Sequence, residues 1–227
     1  MMNIRLALFA CVLNLVGTMC LLDADLLDFE GLPLNPGDPI PQDYGDTAEV
    51  DVSHRQLDGF GSTGTVIEAT LGYWTSGYGN LNNVAYGLTA GASKVGEFRL
   101  DAIAGSTVTL DSFDAGDFRP DLTGIQEFKV YDGSWNLIFS QSLDVSDATH
   151  DTLTPSVTSS SLIVQWGYPY HIGVDNVAFT VNAAPEPSCA ALVIFAIVAS
   201  WSRWRRIKMP IRPCHRESVL SCGSSDV

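Results

Sequence analysis

The sequence predicts an all-β domain over residues 23–184, a two-sheet antiparallel sandwich of the jelly-roll type. Three observations predict it. No stretch of this segment sustains an apolar period of 3.6 residues, apolar and polar residues alternate in several short runs, and turn-forming residues recur at short spacing. Such alternation is typical of antiparallel strands with one buried and one hydrated face, and strands without intervening helices favour a sandwich or a barrel.

Six runs carry the strand signal. In the second of them, Phe98 and Leu100 fall on one face, and the fourth is predicted to be a hairpin joined around Asp132-Gly133, because Asp-Gly is a strong turn signal. The runs are residues 65–71, 96–103, 106–113, 125–139, 161–166 and 176–181.

Residues 28–46 form a different kind of segment, with four prolines, three glycines and five acids. Proline cannot donate to a β-ladder, so this segment is not a central strand. It is expected to be either an ordered loop that wraps the sandwich or a flexible collar.

Charge is distributed unevenly along the chain of 227 residues, whose net charge is −14. Between residues 21 and 184 there are 23 acidic against five basic residues, whereas six basic residues lie between Arg203 and Arg216. The acidic body should repel nucleic acid and anionic lipid head groups, so neither is expected as a partner of the body. Acidity of this density serves solubility more often than catalysis.

The cysteines all lie in the end segments, at Cys11, Cys20, Cys189, Cys214 and Cys222. The body therefore has no disulfide, and cysteine-based zinc sites and thiol catalysis are excluded within it.

Residues 1–22 are predicted to be a signal peptide. Arg5 precedes an uncharged run that ends at Leu22, and this run is short for a membrane span. Cleavage is expected either after the small pair Thr18 and Cys20 or after Ala24. An uncleaved anchor helix and a lipid-modified Cys20 are the alternatives.

The C-terminal segment is predicted to contain a single membrane-spanning helix. Residues 187–202 carry no charge and would span about 24 Å as a helix, against about 30 Å of hydrocarbon. Trp201 and Trp204 stand where interfacial aromatic residues would lie, and Arg203, Arg205 and Arg206 follow the span. Because arginines stay on the cytoplasmic side, the body is expected outside the membrane.

The order of these features resembles the PEP-CTERM sorting signal of bacterial envelope proteins. The matching residues are Pro185, Glu186 and Pro187, then the apolar run 189–201, then the arginines that follow it. The resemblance implies an exported protein, held in the inner membrane by residues 185–206, processed by an exosortase and released to the cell surface or extracellular matrix. The basic and polar tail, residues 207–227, departs from the family, whose chains usually end soon after the arginines.

The proline-rich segment and the run 173–181 together resemble jelly-roll domains found in proteins with this signal, and carbohydrate-binding-module sandwiches. In such domains a structural ion often ties the first segment to the last strand. The resemblance implies calcium, with Glu30 and Asp175 as main ligands and Asp28 and Asn176 as helpers. An unpaired Asp175 among valines would also be costly to bury. The alternative is that Asp175 caps the turn into the final strand.

The body shows little catalytic chemistry. His54, His150 and His171 have no metal-binding spacing, and no nucleophile elbow or phosphate-binding loop is present. Residues 59–64 match G-x-G-x-x-G but lack the flanking strand and helix of a dinucleotide site, so a turn is expected. A hydrolase would need only two carboxylates, but the acids of residues 111–121 (Asp111, Asp114, Asp117 and Asp121) are interpreted as loop acids.

Aromatic residues give the strongest functional signal. Two loop-like runs, residues 72–83 and 166–171, place flat rings beside amides, and sugars stack on such rings. The candidate glycan-binding residues are Tyr73, Trp74, Tyr78, Trp166, Tyr168 and Tyr170. The alternative is that they fill the core or cap the sandwich. The sequence thus predicts an exported, non-catalytic protein that binds extracellular polysaccharide, with a purely structural or adhesive surface protein and a polysaccharide hydrolase as alternatives.

Overall fold

The computed structural model describes residues 24–103, 105–118 and 125–182. The chain divides into two units, Met1–Ala184 and Pro185–Val227, and every described residue belongs to the first. No helix in the described ranges is long and apolar enough to cross a membrane. The predicted signal peptide, the sorting signal and the C-terminal tail lie outside the described residues.

The described part of the chain is all-β, as predicted. Its thirteen strands are β1 Ala24–Leu27, β2 Val50–Asp58, β3 Thr65–Glu68, β4 Gly72–Trp74, β5 Val84–Tyr86, β6 Lys94–Ala102, β7 Thr107–Asp117, β8 Gln126–Asp132, β9 Leu137–Leu143, β10 Asp151–Leu153, β11 Val157–Ser159, β12 Ser161–Gly167 and β13 Ile172–Asn182.

The strands form two sheets in which every pairing is antiparallel. Sheet A has the order β10-β7-β13-β5-β4, with β1 also paired to β13 and β11 also paired to β7. Sheet B has the order β3-β2-β6-β12-β8-β9. Two antiparallel sheets of this kind match the predicted sandwich.

One apolar core takes side chains from both sheets. Phe98 and Leu100 on β6 are fully buried, as their alternation predicted, and they share the core with Val108 and Leu110 on β7. Burial of apolar surface at this scale is the main force that holds the two sheets together.

The predicted runs coincide with β3, β6, β7, β12, β13 and the β8–β9 hairpin. The hairpin turn is longer than the Asp-Gly pair alone, since residues 133–136 separate its strands. The Asp132 carboxylate accepts hydrogen bonds from the backbone N–H groups of Ser134 and Asn136 at 2.8 and 2.9 Å. Trp135 takes the left-handed conformation, with φ of 66°.

The Gly59–Gly64 stretch is a turn between β2 and β3, as expected. Gly59 and Gly61 have φ of 102° and 78°, a backbone region that residues with a Cβ rarely adopt. The match to a dinucleotide-binding motif therefore reflects turn geometry.

The proline-rich segment is an ordered loop, the first of its two predicted alternatives. Its Phe29 and Ile40 are buried in the core. Ile40 N–H donates to the Leu71 carbonyl at 2.9 Å, and Tyr73 N–H donates to the Asp38 carbonyl at 2.9 Å. These bonds fix the segment along β4.

His54 on β2 holds the same loop in place. Its Nδ1 accepts from the backbone N–H of Leu71 at 3.1 Å, and its Nε2 lies 3.0 Å from the Pro41 carbonyl oxygen, so Nε2 carries the proton. Burial lowers the pKa of His54, partly offset by the bond to Pro41. His54 is a neutral structural residue here.

Candidate functional site

Trp166 is part of the core. It is 0% exposed, its ring stacks on Phe98 with centroids 5.2 Å apart, and its Nε1 donates to the Ile172 carbonyl at 3.0 Å. A ring without an exposed face cannot stack on a sugar, so the expectation that Trp166 contacts glycan is wrong. The core alternative applies to it.

Tyr73 and Tyr78 are also buried. The Tyr73 hydroxyl donates to Asn83 Oδ1 at 2.7 Å, and the Tyr78 hydroxyl donates to the Tyr170 carbonyl at 2.8 Å. Burial raises the pKa of Tyr78 far above its ordinary value. Both rings therefore fit the core-and-capping alternative better than a ligand platform.

Trp74 and Tyr170 remain half-buried and lie in a second aromatic cluster. Tyr73 and Ala85 point into the core between the sheets, so their strand neighbours Trp74 and Tyr86 point to the outward face of sheet A. The cluster is absent from the sequence pattern because β4 and β5 have only three residues each.

The rings of this cluster contact one another edge to face. Trp74 lies 5.6 Å from Tyr86 and 6.0 Å from Phe118, and Tyr170 lies 6.0 Å from Tyr86, each measured between ring centroids. Tyr86 is buried beneath Trp74 and Tyr170, whereas Phe118 packs on the buried Tyr78, with ring centroids 5.1 Å apart. We call Trp74, Phe118 and Tyr170 the aromatic surface. Sequence reasoning missed Phe118.

Tyr168 does not join the aromatic surface. It packs against the main core, takes the left-handed conformation with φ of 52°, and lies 6.0 Å from His171 between ring centroids. Its backbone N–H donates to the Lys94 carbonyl at 3.1 Å. It shapes the turn from sheet B into β13.

A loop of residues 75–83 supports the aromatic surface from below. Its Tyr78 covers Gly116 on β7 and Gly173 on β13, two residues that pair directly across sheet A. A Cβ at Gly173 would come within 2.8 Å of the Tyr78 ring, and one at Gly116 would collide with the Tyr78 backbone carbonyl. The loop can therefore pack directly on the backbone of these two glycines.

Asp175 lies in an acidic neighbourhood at a β-bulge in β13. It is 4% exposed, and burial raises its pKa to about 8, with Glu30, Asp114 and Asp28 adding to the rise. The backbone N–H of Asn176 donates to its Oδ1 at 2.7 Å and partly opposes the shift. The charged groups that shift this carboxyl are all acids.

Its neighbours are tied to different elements. Glu30 Oε2 accepts from Asn83 Nδ2 at 2.6 Å, while Asp114 accepts from the Thr152 hydroxyl at 2.6 Å and from Asn176 Nδ2 at 2.9 Å. Among the described residues, no three His, Cys, Asp or Glu side chains converge as a metal-binding group.

The structure thus brings Glu30 and Asp175 close enough to interact electrostatically, and adds Asp114, which the sequence did not assign to this place. Asp111, Asp114 and Asp117 lie within β7, which corrects their interpretation as loop acids. Asp121 lies outside the described residues.

Sheet B carries a cleft of about 430 Å³ on its outward face, over β2 and β6. Its floor is Glu97, which is 1% exposed and accepts from Arg55 Nε and Gln165 Nε2, both at 2.6 Å. Arg99 Nε donates to Asp101 at 2.7 Å beside it. Nothing in the sequence pattern identified this cleft, because it depends on the register of neighbouring strands.

No protein-family model and no curated protein sequence matches the chain. Among solved structures, it is similar to a GH29 fucosidase of Ruminococcus gnavus in complex with fucose (TM-score 0.31, 14% identity, covering 62% of this chain and 26% of that one). It is also similar to a CBM4 structure (TM-score 0.30, 13% identity, 69% and 93% covered). A third is an isomalto-dextranase of Arthrobacter globiformis T6 complexed with panose (TM-score 0.30, 11% identity, 72% and 33% covered).

The chain spans about a quarter of the length of the fucosidase. At TM-scores of about 0.3 these likenesses are too loose to assign a ligand or an activity to this chain.

Proposed function

We propose that this protein is an exported, non-catalytic β-sandwich that binds neutral glycan at the aromatic surface. The observation that carries the proposal is the arrangement of three half-buried rings, Trp74, Phe118 and Tyr170. Buried Tyr86 contacts the first and the last of them, and buried Tyr78 contacts Phe118. Rings held in this way lose little entropy when a sugar stacks on them.

The carboxylates favour a non-catalytic role. Asp111 and Asp114 accept hydrogen bonds from Thr180 and Thr152, so both carboxylates link neighbouring strands of sheet A. Asp175 has the raised pKa of a general acid, about 8, but is buried and closed to a polysaccharide chain. The hydrolase alternative would require one of these groups to reach a glycosidic oxygen.

Structural calcium is part of the same proposal. A cation bound by Asp175 and Glu30, with Asp28 and Asn176 as helpers, would offset the negative potential of the acids that raise the pKa of Asp175. Calcium prefers carboxylate, amide and carbonyl oxygens, and this is the donor set present. It would tie the proline-rich segment to β13.

The two end segments of the sequence support the export proposal. We infer a jelly-roll body delivered by a signal peptide, residues 1–22, and by a sorting signal, residues 185–206, through the inner membrane to the cell surface or extracellular matrix. The partners are a processing enzyme of the exosortase type, the membrane and extracellular polysaccharide. The triplet at residues 185–187 and the arginines at 203, 205 and 206 support this.

A glycan array tests ligand binding. Full-length protein should bind neutral glycans, and Trp74→Ala should weaken binding about tenfold, because it removes one stacking ring. Trp135→Ala is the matched control, since Trp135 lies in the β8–β9 turn and contacts Tyr131 instead. Absence of binding to every glycan would favour the structural or adhesive alternative.

The mass of the mature protein from its native cells tests export and processing. The proposal expects loss of the first 22 or so residues and of the segment that follows Pro187. A mature form that still contains residues 201–206 and stays in the membrane would contradict processing. Replacing Arg203, Arg205 and Arg206 with Glu should misplace the protein.

A further inference from the structure

We propose that the cleft on the outward face of sheet B is a second binding site, which takes a neutral polyhydroxyl ligand such as a sugar ring by hydrogen bonding. This site goes beyond the aromatic surface and does not depend on it, because the two lie on different sheets.

The register of sheet B places the polar residues of the cleft side by side. Arg55 on β2 pairs with Glu97 on β6, which pairs with Gln165 on β12. Ser53 pairs with Arg99 in the next outward row. Outward residues two apart on a strand lie on the same face, so these side chains form a grid.

The floor of the cleft is rigid. Glu97 has both carboxylate oxygens occupied, one by Arg55 and one by Gln165, and Gln165 Oε1 in turn accepts from the backbone N–H of Gly61 at 2.7 Å. A buried network with satisfied partners fixes the positions of its members. The Arg55 guanidinium is therefore held before any ligand arrives.

Unused donors line the cleft. Arg55 and Arg99 each form their ion pair through Nε, at 2.6 and 2.7 Å, with side chains 36% and 35% exposed. Within the described ranges, the terminal Nη groups of both have no hydrogen-bond partner. A guanidinium offers five N–H donors in a planar fork, so four remain on each arginine for an acceptor.

Acceptors and an apolar wall lie beside these donors. Asp101 uses one carboxylate oxygen for Arg99, and the other accepts no hydrogen bond from the residues that the structure describes, so a ligand hydroxyl can donate to it. Val66 is 47% exposed and lines the cleft together with Ala69. A sugar hydroxyl donates and accepts at once, and the C–H face of a sugar ring suits an apolar wall.

Charge balance favours a neutral ligand over an ion. The two arginines that line the cleft face two carboxylates, Glu97 and Asp101, so the charges of the lining balance. Asp51, paired with Asp101 at one end of the cleft, adds a negative charge that disfavours an anion. The body as a whole carries 23 acidic against five basic residues and repels anions. A cation would in turn meet two guanidinium groups.

The test is NMR of full-length protein labelled with ¹⁵N in its arginine side chains. Glucose, galactose, mannose and glucuronate are each added to about 100 mM, a range that detects millimolar binding. The Nε–H resonances of Arg55 and Arg99, assigned from Arg55→Lys and Arg99→Lys, should shift saturably with at least one neutral sugar. Glucuronate should bind more weakly.

Variants separate this site from the aromatic surface. Arg99→Lys keeps the charge but loses the fork and should weaken binding about tenfold. Val66→Trp should block the cleft without removing an ion pair, which covers the case in which Arg99→Lys fails to fold. Trp74→Ala and Lys129→Ala should leave the arginine shifts unchanged, Lys129 being paired with Glu127 outside the cleft.

Three results would overturn the proposal. They are no arginine shift with any neutral sugar, a shift with glucuronate alone, and shifts that persist undiminished in Val66→Trp. Loss of array binding in Trp74→Ala with the arginine shifts intact would support both sites separately. Loss of the arginine shifts in Trp74→Ala would contradict a second site.

Discussion

The two sheets differ in the groups that compensate their acidic side chains. In the described part of the chain, all four basic residues, Arg55, Lys94, Arg99 and Lys129, lie on strands of sheet B, and each pairs with a carboxylate of that sheet. The strands of sheet A have no basic residue but contain six acids.

Sheet A stabilises its acids with neutral donors. Asp111 accepts from Thr180 at 2.7 Å and Asp114 accepts from Thr152 at 2.6 Å. Within the described ranges, Asp175 accepts only from the Asn176 backbone, and Glu30, Asp114 and Asp28 raise its pKa. A face with balanced donors and acceptors suits a polyhydroxyl ligand. A face with surplus negative charge is stabilised by binding a cation. The comparison therefore predicts a cation site on sheet A and none on sheet B.

The largest expected effect tests the core that both sheets share. Trp166→Ala should cost about 3–5 kcal/mol of unfolding free energy, since it empties a fully buried indole site. Chemical denaturation measures it. Trp135→Ala, in the exposed hairpin turn, should cost less than about 1 kcal/mol. A similarly small cost for Trp166→Ala would mean that its ring is accessible after all.

Calcium should distinguish sheet A. Excess calcium at about 100 times its dissociation constant should add about 2.7 kcal/mol and raise the melting temperature by roughly 5–10 °C relative to chelator. Asp175→Asn should abolish this increment, and Asp111→Asn, on the same sheet, should keep it. An unchanged melting temperature of the wild-type protein in excess calcium would contradict the metal site.

Glu97 should distinguish sheet B. Glu97→Gln should cost about 1–3 kcal/mol, because it replaces one of the two accepting oxygens by an NH2 group, which cannot accept the bond that Arg55 or Gln165 donates there. Asp111→Asn should cost less than about 1 kcal/mol, since a hydroxyl partner can turn to suit an amide. Equal costs at the two positions, measured by denaturation, would contradict the contrast between the sheets.

The smallest effect is a pH dependence at His54. Its pKa in the folded protein is lowered from the ordinary value of 6.5, so the unfolded chain binds a proton first as the pH falls. The stability that neutral His54 contributes is present above pH 6.5 and is lost on acidification below it. Wild-type protein should therefore lose more stability than His54→Gln between about pH 7.5 and 5.5. Parallel curves would count against this role.

Seven of the thirteen strands of the described ranges could be predicted from local pattern, and the longest of those missed is β2. Two of its buried positions are His54 and Gln56, so its alternation looks polar in the sequence. Both are satisfied by distant groups, His54 by Leu71 and Gln56 by the backbone of Thr89. Such partners are visible only once the chain has folded.

The sites depend on pairing across the sheets, which sequence pattern does not show. Trp166 and Trp74 both stand in runs rich in aromatic residues, yet one is core and the other half-exposed. The packing of Tyr78 on sheet A requires Gly116 opposite Gly173, and the cleft requires Arg55 opposite Glu97. The family resemblance named Glu30 and Asp175 together, and the two do interact electrostatically, while the calcium that they are expected to bind stays a prediction.

Affinity electrophoresis tests the central claim of glycan binding most directly. Full-length protein is run in gels that contain dextran, xylan or alginate, with Trp74→Ala and Trp135→Ala beside it. The account predicts retardation by at least one neutral polysaccharide, reduced in Trp74→Ala and kept in Trp135→Ala, and none by alginate, which is an anion. Equal mobility of all three proteins in every gel would contradict it.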